Sequence, residues 1–133
     1  MSNSASIYVI EDDQDIRDSL VEILELEGYA PEGFSNGQEA IESLQCPKSL
    51  PEVMLLDLMM PVMGGREFLQ AREQLDPSVR SIPVYLLSAV VPYRGPLEGQ
   101  VAGQMRKPVN IDDLLSVIER HAKGSRPQKS RAA

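Results

Sequence analysis

Asp57 closes the run "VMLLD", where four apolar residues lead straight into a carboxylate, and "LMMP" follows it. An uncompensated carboxylate at the end of a buried strand is costly to desolvate, so this charge needs a partner or a use. A second apolar run, "SIYVIE", ends on Glu11 and is followed directly by Asp12 and Asp13. If the two runs lie side by side, several carboxylates converge, and they cannot all ionise without a counter-charge. A hard divalent cation supplies one: Mg²⁺ typically takes one or two carboxylates, some waters and a phosphate. Lys107, in "RKP", offers a point charge that can neutralise an acidic pocket or hold a phosphoryl oxygen. Ser88, closing "IPVYLLS", offers a hydroxyl that suits a phosphoryl oxygen or equally a turn cap. Asp13 and Asp15 have a simpler use, capping the next helix and favouring its positive end, and for Asp15 this is the preferred reading. Glu11 and Asp12 precede that helix and do not need this explanation.

These residues require elements to carry them. "SIYVIE" (Ser6–Glu11) reads as a short buried strand. "DIRDSLVEILELEGY" reads as a helix with Ile16, Leu20, Ile23 and Leu24 on one face and Gly28 as its stop. "APEGF" is a weak strand, and "SNGQEAIESLQ" a short helix capped by Ser35 or Asn36. "EVMLLD" is a strong strand. Gly64 and Gly65 open a further helix expected to reach about Leu75, with Phe68, Leu69 and Leu75 inward. Ile82–Ser88 is a strand with Pro83 tolerable near its start, and "GQMR" is a short last strand. "NIDDLLSVIERHAK" closes the chain as a helix with Asn110 as cap and Ile111, Leu114, Leu115 and Ile118 as its apolar stripe. His121, late in that helix, reads as a surface residue compatible with the helix dipole. Apolar strands alternating with helices imply a parallel sheet covered on both faces. Such sheets place the working site outside the carboxyl ends of the strands, which is where Glu11, Asp12, Asp57, Ser88 and Lys107 fall.

Jointly, the acids after strand one, "DLMMP" at strand three, "SA" after strand four and "KP" after strand five resemble the receiver domain of two-component response regulators, over residues 6–123. The resemblance implies a (βα)5 doubly wound, flavodoxin-like α/β fold, with a parallel five-stranded sheet in the order 2-1-3-4-5. It also implies that Asp57 is the phosphoacceptor, that Asp12 and Asp57 bind Mg²⁺ directly, and that Glu11 binds it through water. Met59 would contribute its backbone carbonyl, Ser88 matches the switch hydroxyl, Lys107 the lysine, and Arg17 the usual basic position in the first helix. A cis Lys107–Pro108 bond is expected after strand five. The implied partner is a histidine kinase or histidine phosphotransfer protein, with an unspecified downstream effector, and the chain is not expected to be an enzyme beyond self-phosphorylation and slow autodephosphorylation.

Two features depart from the pattern. Gln104 stands where the family usually carries an aromatic, three residues before the lysine. The stretch between Ser88 and Lys107 is short and contains Pro92, Gly95, Pro96, Gly99 and Gly103. Pro and Gly inside a helix cost about 3 and about 1 kcal/mol relative to Ala, so the fourth helix is expected to be short or irregular, a loop or at most one or two turns between Val90 and Ala102. Three rival readings differ in kind. One is a degenerate receiver that acts only as a protein-binding module. Another is a flavin-binding electron carrier, which would need a phosphate loop after strand one in place of "EDDQD". The third is a phosphatase with an aspartate nucleophile, whose usual second acid is here Met59.

The remaining composition bounds the setting. The chain of 133 residues suits one domain, and 42% hydrophobic residues suffice for a core. A net charge of −7 argues against nucleic-acid binding by this domain. One cysteine, Cys46, excludes an internal disulfide. No apolar run approaches the about 18 residues of a membrane span, and "MSNSAS" does not resemble a signal peptide, so a cytoplasmic protein, monomeric or weakly dimeric, is expected. Residues 1–5 are expected to be flexible, and the polar, basic "GSRPQKSRAA" at 124–133 is expected to be a disordered tail or linker.

Overall fold

The computed structural model describes residues 5–45, 50–60, 62–89 and 100–122. The expectations for the N-terminus, for the segment from Val90, for the tail and for Cys46 fall wholly or mostly outside these residues.

Alternation along three strands builds the two halves of the core. In β1 (Ser6–Ile10), β3 (Val53–Asp57) and β4 (Val84–Ser88), successive side chains point to opposite faces. Ile7, Val9, Val53, Leu55, Tyr85 and Leu87 pack on one face, and Tyr8, Ile10, Met54, Leu56, Val84 and Leu86 on the other. Apolar residues on both faces explain why these strands read as continuous hydrophobic runs. Fully burying each such aliphatic side chain contributes about 1.5–3 kcal/mol, so strand and helix placement is dictated by this central layer. With β2 (Ala30–Phe34) and β5 (Gly103–Arg106) the strands form one parallel sheet ordered β2-β1-β3-β4-β5. β2 is an edge strand, which accommodates the Pro31 and Gly33 that weaken it as a sequence pattern.

Helices cover both faces. α1 (Gln14–Leu26) and the last helix, α5 (Ile111–His121), pack Leu20, Leu24, Leu114 and Ile118 on the first face. α2 (Gly37–Gln45) and α3 (Gly65–Arg72) pack Ile41, Leu44, Phe68 and Leu69 on the second. The caps follow the sequence: Asp13 Oδ1 accepts from the Ile16 amide at 3.0 Å, Asn36 Oδ1 from Glu39 at 2.9 Å and Asn110 Oδ1 from Asp113 at 2.9 Å. Gly28, with φ 92°, follows the end of α1 in the left-handed conformation that glycine adopts freely.

Three features of these elements differ from expectation. α3 stops at Arg72 rather than near Leu75, and a short unexpected helix, α4 (Pro77–Arg80), precedes β4. Pro77 accounts for the second: it pushes Asp76 to an extended conformation (ψ 148°) and then starts a new helix, where its missing N–H is no loss. α3 itself ends because its last turn tightens, the Gln74 and Leu75 amides donating three residues back to the Ala71 and Arg72 carbonyls. In α5, Ile111 is 48% exposed, and Val117 takes its place in the buried stripe.

Candidate functional site

Strand register brings the chemistry together. Asp57 pairs with Leu87 across β3 and β4, and Ser88 with Arg106 across β4 and β5. The Lys107 amide donates to the Ser88 carbonyl at 2.9 Å, which extends the ladder one residue beyond β5. On the other side the Glu11 amide donates to the Phe34 carbonyl at 3.0 Å, carrying β1 one residue past its end. Glu11, Asp57, Ser88 and Lys107 therefore stand at the carboxyl edge of four adjacent positions in one sheet. The Lys107–Pro108 peptide bond is cis, as expected.

One oxygen each from Glu11, Asp12 and Asp57 lie within 4.8 Å of one another. Glu11 is fully buried, Asp57 is 4% exposed and Asp12 faces solvent. Lys107 bridges the two buried acids: its Nζ lies 3.1 Å from Glu11 Oε1 and 3.2 Å from Asp57 Oδ1, and it donates to Glu11 Oε2 at 3.3 Å. The Asp13 amide also donates to Glu11 Oε2, at 3.1 Å, and the Met59 amide to Asp57 Oδ1 at 3.4 Å. The Met59 side chain points away and is 77% exposed, so only its backbone is available to the site. Ser88 is buried at the end of β4.

Burial, then the neighbouring Glu11 and Asp12 carboxylates, push Asp57 from the ordinary 3.8 up to about 7, against the opposing pull of Lys107. Burial alone would lower the pKa of Lys107, but its contacts with Glu11 and Asp57 outweigh this and hold it above the ordinary value. One lysine thus faces three carboxylates and does not neutralise them. Glu11 Oε1 is buried and makes no hydrogen bond among the described residues; Lys107 meets it only as an ion pair. An all-oxygen donor set with surplus negative charge and an unsaturated buried oxygen fits a hard divalent cation.

The loop from β3 to α3 is held close to this cleft. The Gly65 amide donates to the Leu58 carbonyl at 3.0 Å, and a Cβ at Gly65 would lie 3.1 Å from Leu58 Cα and 3.2 Å from the Asp57 carbonyl oxygen. A side chain at Gly65 would press on this backbone, so glycine lets α3 begin this close to the end of β3. Val62 in the same loop adopts φ 64°, an uncommon and strained conformation for a β-branched residue.

Two contacts were not legible in the sequence. Arg17 Nη1 donates to the Glu11 carbonyl at 2.7 Å. His121, expected to be a plain surface residue, instead sits 2.7 Å from the Tyr85 hydroxyl through Nε2, with the two rings 5.4 Å apart. No helix among the described residues is long and apolar enough to cross a membrane.

A parallel 2-1-3-4-5 sheet with an acidic cluster and a lysine at its carboxyl edge defines the class of doubly wound, flavodoxin-like α/β domains with a charged site at the strand ends. Residues 7–119 match the response regulator receiver domain, and the chain belongs to this family. It is 35% identical to the response regulator receiver protein CpdR of Brucella abortus, over 86% of this chain and 93% of that protein. It is 34% identical to the transcriptional regulatory protein CreB of Escherichia coli, but over 63% of this chain and only 34% of CreB. The fold is similar to that of the chemotaxis protein CheY4 of Vibrio cholerae, with TM-score 0.74 and 28% identity over 89% of this chain and 98% of that one. It is also similar to the receiver domain of sensor histidine kinase PA1611 of Pseudomonas aeruginosa, solved with magnesium in its active-site cleft, with TM-score 0.78 and 20% identity over 89% and 97%. Family membership removes the flavin-carrier and phosphatase readings. Receiver domains are phosphoacceptors of two-component systems and are not generally classed as enzymes.

Proposed function

We propose that this chain takes a phosphoryl group from a histidine kinase or histidine phosphotransfer protein onto Asp57 and signals by a change of conformation. The observation that carries the reading is the buried Asp57 carboxylate, paired with Lys107 and flanked by Glu11 and Asp12 at the mouth of the sheet. In the transfer, an Asp57 carboxylate oxygen forms the new O–P bond as the N–P bond of the donor phosphohistidine breaks, and the bonding pair leaves on the imidazole nitrogen. Lys107 holds a phosphoryl oxygen as a point charge, and the Ser88 hydroxyl hydrogen-bonds another once the group is attached. Asp12 and Asp57 would hold Mg²⁺ directly, with the Met59 carbonyl, and Glu11 would hold it through water. When bound, the cation offsets charge on the carboxylate and phosphoryl oxygens. Slow autodephosphorylation by water, a cytoplasmic setting, a monomeric or weakly dimeric state and action without nucleic acid or membrane complete the reading.

Acetyl phosphate with Mg²⁺, followed by intact mass, tests it. The parent should gain the mass of one phosphoryl group, and Asp57→Asn or an excess of chelator should prevent the gain. No gain in a folded parent under these conditions would replace this reading with that of a receiver acting only by protein binding.

A further inference from the structure

Arg17 lies on α1, one turn in from the Asp13 cap, and its amide donates to the Asp13 carbonyl at 2.9 Å. Helical side chains lean toward the N-terminus, so Arg17 reaches back over the junction between β1 and α1. There its Nη1 donates to the Glu11 carbonyl at 2.7 Å, a short charge-assisted bond. That carbonyl belongs to the peptide unit joining Glu11 to Asp12, so whatever fixes it fixes the directions in which both acidic side chains leave the backbone. The stem of Arg17 lies against Gly33 of β2: a Cβ there would sit 3.1 Å from both Arg17 Cγ and Cδ. β2 thus lacks a side chain where the stem must pass, and the guanidinium, the glycine and the Glu11 peptide form one continuous contact.

We infer that Arg17 is a positioning residue for the metal-binding acids, seated by Gly33 and acting through the Glu11 carbonyl rather than touching phosphate or cation. The inference rests on the functional reading above for the identity of the cation. It draws separately on the turn at Glu11: the Asp13 amide donates to Glu11 Oε2 at 3.1 Å, so the aim of this carboxylate is tied to the same backbone that Arg17 holds. Groups that orient ligands in this way typically change metal affinity about 10–100-fold when removed.

Two substitutions approach the contact from opposite sides. Arg17→Met keeps the stem and removes the donor, whereas Gly33→Ala keeps the donor and crowds the stem, which must shift by a few tenths of an ångström. Two readouts are taken on each. Calorimetric Mg²⁺ titration should give a dissociation constant raised about ten-fold in both, with Arg17→Lys recovering part of the loss. Amide exchange in metal-free protein should show faster exchange at Asp13, whose N–H is held by Glu11 Oε2, in Arg17→Met and Gly33→Ala, with partial recovery in Arg17→Lys. A purely structural role would lower the melting temperature and leave Asp13 exchange, relative to its neighbours in α1, and Mg²⁺ affinity unchanged. That result in Arg17→Met overturns the inference, as does Gly33→Ala behaving like the parent in both readouts. A parent that binds no Mg²⁺ sinks the functional reading instead, and the Asp13 exchange still decides for or against Arg17.

Discussion

Replacing Asp57 with Asn in metal-free buffer should stabilise the protein in a pH-dependent way. Asp57 has a raised pKa in the fold, about 7 against an ordinary 3.8. The folded state therefore binds a proton more tightly than the unfolded chain. The stability this contributes is fully present below about pH 4 and is lost as the pH rises to about 7, after which the loss is constant. A difference of about three pKa units, at about 1.4 kcal/mol each, sets a ceiling of about 4 kcal/mol. Asn is nearly the same shape, and Lys107 keeps Glu11 at 3.1 Å, but the new amide must find partners of its own in a buried site. We expect a net gain of about 2 kcal/mol at pH 8, roughly 5–10 °C in melting temperature for a chain of this size. Melting curves of parent and variant between pH 4 and pH 8.5, without metal, measure it, and their difference isolates Asp57 from other titrating groups. At pH 4, where Asp57 is protonated in the parent and only the cost of the amide remains, the variant should be about 2 kcal/mol less stable; the difference should rise through zero toward pH 7 and then stay level in the variant's favour. Adding Mg²⁺ should raise the parent curve at pH 8 by about 2.7 kcal/mol when the ion is at about one hundred times its dissociation constant, and the Asn variant far less. A pH-independent difference, or a variant less stable than the parent at pH 8, would refute the crowding of carboxylates around Asp57.

Two further outcomes follow from the same geometry. Val62→Gly should raise stability by about 1 kcal/mol in urea denaturation, because a side chain 81% exposed gives up little packing while the left-handed φ of 64° no longer carries a Cβ; an unchanged or lower midpoint would mean that the loop is not strained there. Lys107→Gln should lower stability in metal-free buffer at pH 8 by about 2 kcal/mol, since Glu11 and Asp57 lose their shared cation, and the loss should shrink when Mg²⁺ is added; equal losses with and without the ion would separate Lys107 from the cation-binding cluster.

Much of this protein was readable along the chain because the relevant physics is local or periodic. The apolar runs of β1, β3 and β4 announced a sheet buried on both faces, the Asp13, Asn36 and Asn110 caps announced three helix starts, and the acids and lysine at strand ends announced the site. The pattern was less clear where tertiary position overrode composition. β2 contains Pro31 and Gly33, tolerable because it lies at the sheet edge. α3 was expected to run on, although its last turn tightens after Arg72 and Pro77 starts α4. Only the fold could show that Ile111 faces solvent, that His121 meets Tyr85, and that Arg17 closes on the Glu11 carbonyl beside Gly33. Side-chain identity along a strand or helix specifies which face is buried. The perturbed Asp57 carboxyl and the lysine bridging two acids arise from residues 45 to 96 positions apart in the chain, brought within a few ångströms by sheet register. Coulombic and desolvation effects depend on those distances, and no one-dimensional pattern contains them.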